Sequence, residues 1–527
     1  MKLKSLMLIF IFLLDRWVNA DPNLIFEFNS SANRVIEKLE TDGVINGLHR
    51  HTRPYNRSHV AQIVDVAQQR IKSEELAPTS IHLQLLQKLE RQLQLNPDDS
   101  NLTEKFHTRG LASLRSYAEI PKIAPSYQQA LLYQFGQKII IYQELEIDNL
   151  FNRTEHATKY PAQGSTAEKR INQWQGNYTA DFKRVYLDIP VAEGTSLTVG
   201  RDQIFWGTGR RHSVGISDNS PPFDLILISS NFSSVRGTAF ISKLDRMWHQ
   251  DTRRYLADRY LSGHRLDWRL SDRIELGISE IVLYGGDARG LEWYYLNPIL
   301  PYYASQFNAD TQKEGLTRND NVMLLFEGAV RPIKGLRIYG ELFVDDFSYI
   351  GHGDPNDLAF LTGIIWNNLL KSQRLSLVSE YVRVNRWTYT HLVEENQYTH
   401  FGSIIGHRIG NDADQLYLEA NYWLNADTRL ALFCQFNRNG EANVDHRFRG
   451  EKYSEVTFPS GTVEGKHQIG CDLSSYQANG WQFDLRFSHL IILNKDHKIR
   501  PVEHHNQLAF QIGYQYDWDT SRTAVLP

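Results

Sequence analysis

Cysteine is scarce in this chain of 527 residues, which contains only Cys434 and Cys471. There is no array of Cys and His residues with metal-ligand spacing and no HExxH motif, which excludes the common zinc-site classes. Alternation places both cysteines on the apolar side of neighbouring strands. The sequence leaves open whether they form a disulfide in an exported protein or remain two lipid-facing free thiols.

Long hydrophobic runs are also absent after the N-terminus, where no stretch of about 18 apolar residues occurs, and this excludes a transmembrane helix. The mean hydropathy is −0.44. Low hydropathy does not exclude a membrane protein, because the polar face of a β-barrel averages out its lipid-facing side. The exception is 1–20, where a basic start, an apolar core and the small residues Val18-Asn19-Ala20 predict a secretory signal peptide.

Excess charge of either sign is missing as well. The 57 basic and 61 acidic residues give a formal net charge of −4. This weakly acidic balance argues against nucleic acid as a partner. Aromatic residues, in contrast, are abundant at 12% of the chain, with 26 tyrosines.

Alternation with a period of two dominates the chain from about residue 137 onward. The clearest example is Gln507–Trp518, where Leu, Phe, Ile, Tyr and Trp alternate with mostly polar residues. One such strand also fits a soluble sandwich, so the number and spacing of the strands must decide. Similar patterns predict sixteen strands at 137–148, 181–190, 196–205, 223–231, 237–245, 263–270, 273–283, 321–331, 335–345, 359–369, 373–384, 415–423, 428–437, 463–474, 480–492 and 506–518.

The connections between these strands alternate between short and long, which is typical of bacterial outer-membrane barrels. The sequence therefore predicts a mainly β protein: a large antiparallel transmembrane β-barrel of 16–18 strands. A further hairpin within 284–320 or 385–413 would make eighteen, the number that we favour. Before the barrel, apolar residues at helical spacing predict helices at 32–40, after Ser58 and after Ser80.

These patterns divide the chain into a signal peptide (1–20), a periplasmic helical bundle with its connection (21–130) and an outer-membrane barrel (131–527). The bundle is either a self-packed periplasmic domain or a plug at the barrel mouth. The polar inner face also permits a channel for small solutes. A hydrolase using Ser213 and His407 is a further alternative, although nothing places a carboxylate beside them. No cofactor or metal is expected.

Several stretches resemble the capsule-assembly Wzi-type outer-membrane proteins. They include GRDQIFWGTG at 200–209, SDNSPPF at 217–223, Tyr339–Asp346 and GHRIG at 406–410. The resemblance implies an eighteen-stranded barrel with a periplasmic helical bundle, located in the bacterial outer membrane. It also implies a surface lectin that helps to attach capsular polysaccharide and is not an enzyme.

The candidate sugar-binding residues rest on aromatic and basic clustering in two long loops, not on the resemblance. Aromatic rings stack on sugar faces, and Arg pairs with the carboxylates of acidic sugars. An interfacial aromatic girdle with loop packing is the alternative reading of such tyrosines. The predicted ligand-binding residues are Trp206, Arg210, Arg211, His212, Trp293, Tyr294, Tyr302 and Tyr303. Surface polysaccharide and outer-membrane lipid are the expected partners of a monomer.

Overall fold

A computed structural model describes most of the chain after residue 30. The described residues are 31–53, 55, 57–93, 104–117, 120–135, 139–148, 179–246, 248–249, 254–255, 258–286, 289–305, 320–346, 356–369, 372–448, 450 and 457–522. The predicted signal peptide lies outside them. None of the described helices is long and apolar enough to cross a membrane.

Three helices open the described chain, where helical periodicity predicts them. They are α1 (Ser31–Thr41), α2 (Arg57–Lys72) and α3 (Ser80–Leu93). Their apolar stripes meet in one core that also includes Trp423 and Ala426. Trp423 ends a barrel strand and Ala426 lies in the turn that follows it, so the bundle is packed onto the barrel as well as onto itself.

Eighteen strands in the described part of the chain form one closed antiparallel barrel. The first strand pairs with the last, from Glu104↔Arg522 to Ser116↔Phe510, and this pairing removes both sheet edges. The strands are β1 (Glu104–Tyr117), β2 (Ile120–Phe135), β3 (Ile139–Asp148), β4 (Thr179–Ala192), β5 (Thr195–Asp202), β6 (Phe223–Phe232), β7 (Val235–Lys243), β8 (Arg259–Ser271), β9 (Ile274–Gly285), β10 (Asn321–Ile333), β11 (Leu336–Asp346), β12 (Asp357–Asn367), β13 (Leu375–Val384), β14 (Ala413–Trp423), β15 (Thr428–Asn439), β16 (Glu464–Tyr476), β17 (Trp481–Leu493) and β18 (Glu503–Arg522).

The favoured count of eighteen strands is confirmed, but the expected place of the extra hairpin was wrong. The two strands missing from the predicted set are β1 and β2, so the barrel begins at Glu104 and not at residue 131. Proline explains the omission, because it cannot donate to a strand ladder and Pro121 and Pro125 both lie within β2. The described parts of 284–320 and 385–413 add no strand to the barrel.

The interior of the barrel is divided into two unlike halves. The apolar inward side chains of β6–β13 form one buried cluster, which includes Phe240, Leu261, Leu325 and Phe343, and buried charged residues such as Glu341 lie among them. The inward side chains of β14–β18 and β1–β5 are largely polar: Gln468 bonds Gln507, Gln482 bonds Gln515, and Arg486 pairs with Asp472 at 2.6 Å. The apolar cluster is therefore confined to one side of the interior.

The helical bundle is held against the short turns of the barrel, which mark the periplasmic end in bacterial barrels. The Gly335 amide donates to Thr41 O at 2.8 Å, and Asn367 donates to the Asp42 carboxylate at 3.0 Å. On the far side of the bundle, Lys88 donates to Ala426 O at 3.0 Å. The bundle therefore covers the periplasmic end beside β10–β15.

Candidate functional site

The long connection between β5 and β6 turns into the barrel, where residues 203–219 form what we call the plug loop. The centre of its attachment is Glu341 on β11, a buried carboxylate with four close donors. One oxygen accepts the Thr208 and Gly209 amides at 2.6 Å each, and the other accepts Val214 N at 2.8 Å and Ser213 Oγ at 2.9 Å. The glycine-rich turn is thus a backbone nest for the barrel's own carboxylate.

Glycine is required at position 207 of this nest. Its φ is +157°, and an added Cβ would lie 2.1 Å from Ser213 Oγ and 2.6 Å from a Glu341 oxygen. Any side chain would displace the carboxylate or the serine. Gly207 is therefore explained by the close approach of Ser213 and Glu341.

A second set of contacts ties the plug loop to the N-terminal segment. Thr52 and Arg53 pair as a short antiparallel ladder with Trp206 and Phe205, and the Gly207 amide donates to His51 O at 2.8 Å. Arg53 stacks on the Phe205 ring at 3.9 Å. The N-terminal segment, which enters the barrel from the bundle side, therefore meets the plug loop, which enters from the outer side.

Arg210 joins three parts of the molecule through buried charges. Its guanidinium contacts Glu37 of α1 at 3.0 Å and Glu419 of β14 at 2.6 Å. Its backbone amide donates to Glu380 of β13 at 2.7 Å. Burial alone would raise the pKa of Glu37, but Arg210 and Arg50 hold that pKa below its usual range. The residue is a structural link between bundle, plug loop and wall.

The first predicted sugar-binding group is therefore brought together, but inside the protein. Trp206 is fully buried and packs edge-on against Phe240 at 5.2 Å. Arg211 lies over the Tyr417 ring at 4.4 Å and bonds Gln435, and His212 contacts Asp218 at 2.8 Å. Trp206 has no free ring face to stack on a sugar.

The second predicted group lies elsewhere, in residues 289–305, which we call the strap. Tyr302 is buried and Tyr294 is partly buried, whereas Trp293 is 84% exposed and Tyr303 is 44% exposed. The strap packs on outward-facing residues of β8–β10. The two predicted groups consequently occupy opposite faces of the barrel wall and do not form one site.

The outer end of the apolar half is covered by residues 385–412, which we call the outer cap. Tyr389 OH donates to Val214 O at 2.7 Å, and Ser217 of the plug loop donates from its amide to Ile405 O at 2.9 Å. Tyr389 and Tyr398 are fully buried in the same cluster as Trp206. The cap seals the plug loop from outside.

One hairpin of the outer cap carries an exposed aromatic ring. Thr399–His400 pairs with Ser403–Ile404 across Phe401 and Gly402, whose φ values of +47° and +68° fit a tight type I′ turn. The Phe401 amide donates to Asp245 at 2.8 Å. Phe401 is therefore held at the tip of a rigid turn.

The residues named for a hydrolase do not form a catalytic arrangement. Ser213 Oγ lies 2.9 Å from Glu341 and 2.6 Å from Trp206 O, so its one hydrogen is shared between these two acceptors, and both Ser213 and His407 are fully buried. His407 instead stacks edge-on with His212 at 5.4 Å, and burial lowers its pKa. Neither residue has an open approach for a substrate.

His51, Asp267 and Glu327 form the described side-chain group whose oxygen and nitrogen atoms lie close enough to hold a metal ion. Arg265 already lies within this group, at 2.6 Å from Asp267 and in contact with Glu327. Thr52 Oγ1 donates to Asp267 at 2.5 Å. Since Arg265 contacts both carboxylates, the group is a buried ion cluster beneath the plug loop.

The two cysteines are free thiols on the outer face of the wall. Cys434 of β15 is paired with Ile469 of β16, and Cys471 is paired with Leu432. They therefore lie on adjacent strands but not opposite each other, and the disulfide alternative was wrong.

Eighteen closed strands with an outward apolar belt define an outer-membrane β-barrel, and a plug loop and an outer cap fill part of its interior. A family model described as capsule assembly protein Wzi matches residues 93–499. The chain belongs to this family, which confirms the resemblance noted in the sequence, and it is a protein of the bacterial outer membrane.

One solved structure shares the fold over nearly the whole chain. Wzi of Escherichia coli, described as a carbohydrate-binding β-barrel involved in group 1 capsule assembly, has a TM-score of 0.62 at 14% identity, covering 95% of this chain and 99% of that one. OccD3 of Pseudomonas aeruginosa has a TM-score of 0.44 at 11% identity, covering 79% and 91%. OccAB2 of Acinetobacter baumannii has a TM-score of 0.42 at 10% identity, covering 79% and 98%. A search of curated proteins gives no match.

Sequence reasoning missed the residues that hold the plug loop and the cap. In the sequence, Tyr339–Asp346 and GHRIG at 406–410 contribute only to the family resemblance, and alternation shows no more than that Glu341 faces the lumen. One signal was available: a Gly-rich turn with no following helix still offers a row of amides to an anion. The identity of that anion, a glutamate 130 residues later, depends on the closed barrel.

Proposed function

We propose that this protein binds capsular polysaccharide at the cell surface through its outer cap. The observation that carries the proposal is that the plug loop, the cap and the inner wall of β6–β13 share one buried apolar cluster. This filling favours a surface-binding role over the channel alternative. Family membership supports capsule assembly as the process in which the binding acts.

The proposed contact residues on the cap are Phe401 and Arg408. Phe401 is 36% exposed at its turn, and His400 beneath it is stacked on Phe223 at 5.2 Å. A ring fixed in this way offers a sugar face for stacking at little cost in side-chain entropy. Arg408 is exposed on the same cap and is suited to the carboxylates of acidic sugars.

The test is binding of the purified, detergent-folded protein to capsular polysaccharide from its own source cell. We expect Phe401→Ala and Arg408→Ala to weaken saturable binding, each by roughly tenfold or more, in line with about 1.4 kcal/mol per tenfold change. Leu392→Ala is the matched control, since Leu392 is a large apolar residue of the same cap and is 64% exposed. Equal binding by all three variants would refute this location.

The same assay separates this site from the one predicted from sequence. The double variant Trp293→Ala/Tyr302→Ala changes the strap, on the opposite face of the wall. We expect it to bind polysaccharide as the wild type does. If the strap variant lost binding while the cap variants bound normally, the binding site would instead lie in the strap, as the sequence predicts.

We also propose that the protein acts without catalysis, as a monomer surrounded by outer-membrane lipid. Burial of Ser213 and His407 supports the first point. Closure of β1 on β18 supports the second, because no barrel edge remains to pair with another copy. Sedimentation in detergent of known bound mass tests the monomer, and a particle of two chains would contradict it.

A further inference from the structure

The outer ends of β8 and β9 are buried on both faces, which is unusual for a barrel wall. Inward residues such as Leu261, Ile281 and Leu283 belong to the lumen cluster with Trp206. The residues between them point outward, yet Tyr260, Val282 and Tyr284 are also buried, in a separate cluster with Tyr295 and Tyr302 of the strap. The strap therefore lies against the outside of the barrel.

The strap also covers a charged pair on that outer face. His264 and Glu280 alternate with inward residues and contact each other at 3.0 Å. The Tyr302 and Tyr303 amides both donate to the Glu280 carboxylate at 2.7 Å, and the Tyr302 ring lies 4.2 Å from His264. A carboxylate facing hydrocarbon is costly unless it is bonded and covered. The strap bonds the Glu280 carboxylate through two backbone amides and covers it with the Tyr302 ring.

The height of this contact places it within the membrane. The outward face of β9 from Ile274 to Tyr284 covers ten residue steps, or about 33 Å along the strand and about 25 Å along the membrane normal at a tilt of about 40°. The apolar belt of such barrels is about 25 Å tall. Glu280 and Tyr284 therefore lie in its outer part, immediately above the exposed Leu276 and Ile278.

The side of the strap that faces away from the wall is apolar. Trp293 is 84% exposed and Ile299 is 86% exposed, and Leu291 and Leu300 are exposed beside them. The strap's one arginine, Arg289, is withdrawn into contacts with Asp320 at 3.0 Å and Glu292 at 3.1 Å. Leu291 also lines an apolar cavity on the outer face together with residues of β4–β7, including Val199 and Ile226.

We propose that the strap is an embedded anchor that lies in the acyl-chain region of the outer leaflet, with Trp293 and Ile299 in contact with lipid. Its apolar surface continues the lipid-facing belt of β8–β10 without interruption. The occupant of this surface is hydrocarbon and not polysaccharide. The anchor fixes the height of the barrel in the leaflet and shields Glu280.

The test measures membrane depth at single labelled sites. Cys434 and Cys471 are replaced by serine, and a nitroxide is attached to Ile299→Cys or, independently, to Trp293→Cys. Ile499→Cys is the matched control, because Ile499 is an equally exposed isoleucine, at 89%, in another outer loop. Each protein is placed singly in phospholipid nanodiscs, and collisions with oxygen and with a water-soluble nickel chelate are measured.

We expect the ratio of oxygen to nickel collisions to be several-fold higher at 299 and 293 than at 499. Equal ratios at the three sites, with full nickel access, would overturn the proposal. Nickel access that is lost only when polysaccharide is added would overturn it in favour of a sugar surface. Shielding that appears only with two barrels in one disc would overturn it in favour of a contact between copies.

Discussion

Replacing Glu341 with glutamine is expected to release the plug loop while the barrel stays closed. The carboxylate accepts four donors from the loop, two on each oxygen. Glutamine keeps one acceptor and turns an amide NH₂ group towards the other two donors. Pairing of β1 with β18 does not involve Glu341, so the wall should persist.

The expected cost follows from the two lost charge-assisted hydrogen bonds. At about 1.5–3 kcal/mol each, they amount to about 3–6 kcal/mol of loop attachment. Since about 1.4 kcal/mol corresponds to a factor of ten, the open population of the loop should rise by about 10²- to 10⁴-fold. Alanine at this position removes all four bonds and should have a larger effect.

Trypsin reports this opening directly, because Arg210 and Arg211 lie in the plug loop. Cleavage of a transiently opened segment follows its open population when opening is fast. We expect the detergent-folded variant to be cut after Arg210 or Arg211 far faster than the wild type, with the fragments identified by mass.

Asp484→Asn is the control for the Glu341 variant, since this lumen carboxylate of β17 accepts from the Tyr476 hydroxyl at 2.9 Å and, within the described part of the chain, not from the plug loop. It should leave cleavage unchanged. Wild-type resistance in Glu341→Gln would refute the view that this nest holds the loop. Conductance in planar bilayers gives an independent reading, and a released loop should raise the current above that of the wild type.

Two further substitutions test the contacts around the loop. Arg210→Ala leaves Glu37 and Glu419 without their shared partner, so we expect denaturant titration to show a free energy of unfolding lower by about 3–5 kcal/mol. Arg210→Lys should lie between the wild type and Arg210→Ala. An unchanged unfolding midpoint in Arg210→Ala would contradict the linking role of Arg210. Burial lowers the pKa of His49 to about 4. Its neutral form therefore stabilises the fold fully above the ordinary pKa of about 6.5, and about 2 kcal/mol should be lost between pH 7.5 and pH 5, a difference that His49→Gln should abolish.

The barrel was predictable because its cause is local. Each strand alternates inward and outward residues, and the long run at Gln507–Trp518 lies within β18. β2 escaped because Pro121 and Pro125 obscure the same pattern. Helices α1–α3 were predictable for the same local reason, since their apolar residues repeat at helical spacing.

The filling of the barrel was not predictable in this way. Glu341 meets the Gly207–Gly209 turn only after the chain has closed, and alternation says which face a residue occupies but not what covers it. The predicted loop residues show both outcomes: Trp206 is a core residue, whereas Trp293 is exposed on the outer wall. The alternative of girdle and loop packing describes the strap tyrosines better than sugar stacking does.

The meeting of two chain segments inside the barrel has a mechanical consequence. Ile405 of the outer cap accepts from Ser217, Gly207 of the plug loop donates to His51, and the chain then continues back to α1. Hydrogen bonds therefore run in series from the cell surface to the periplasmic helices. A force applied to the outer cap by a bound polymer would therefore be shared by the strands, the plug loop and the helical bundle. The cap is in this way connected to structure on both sides of the membrane.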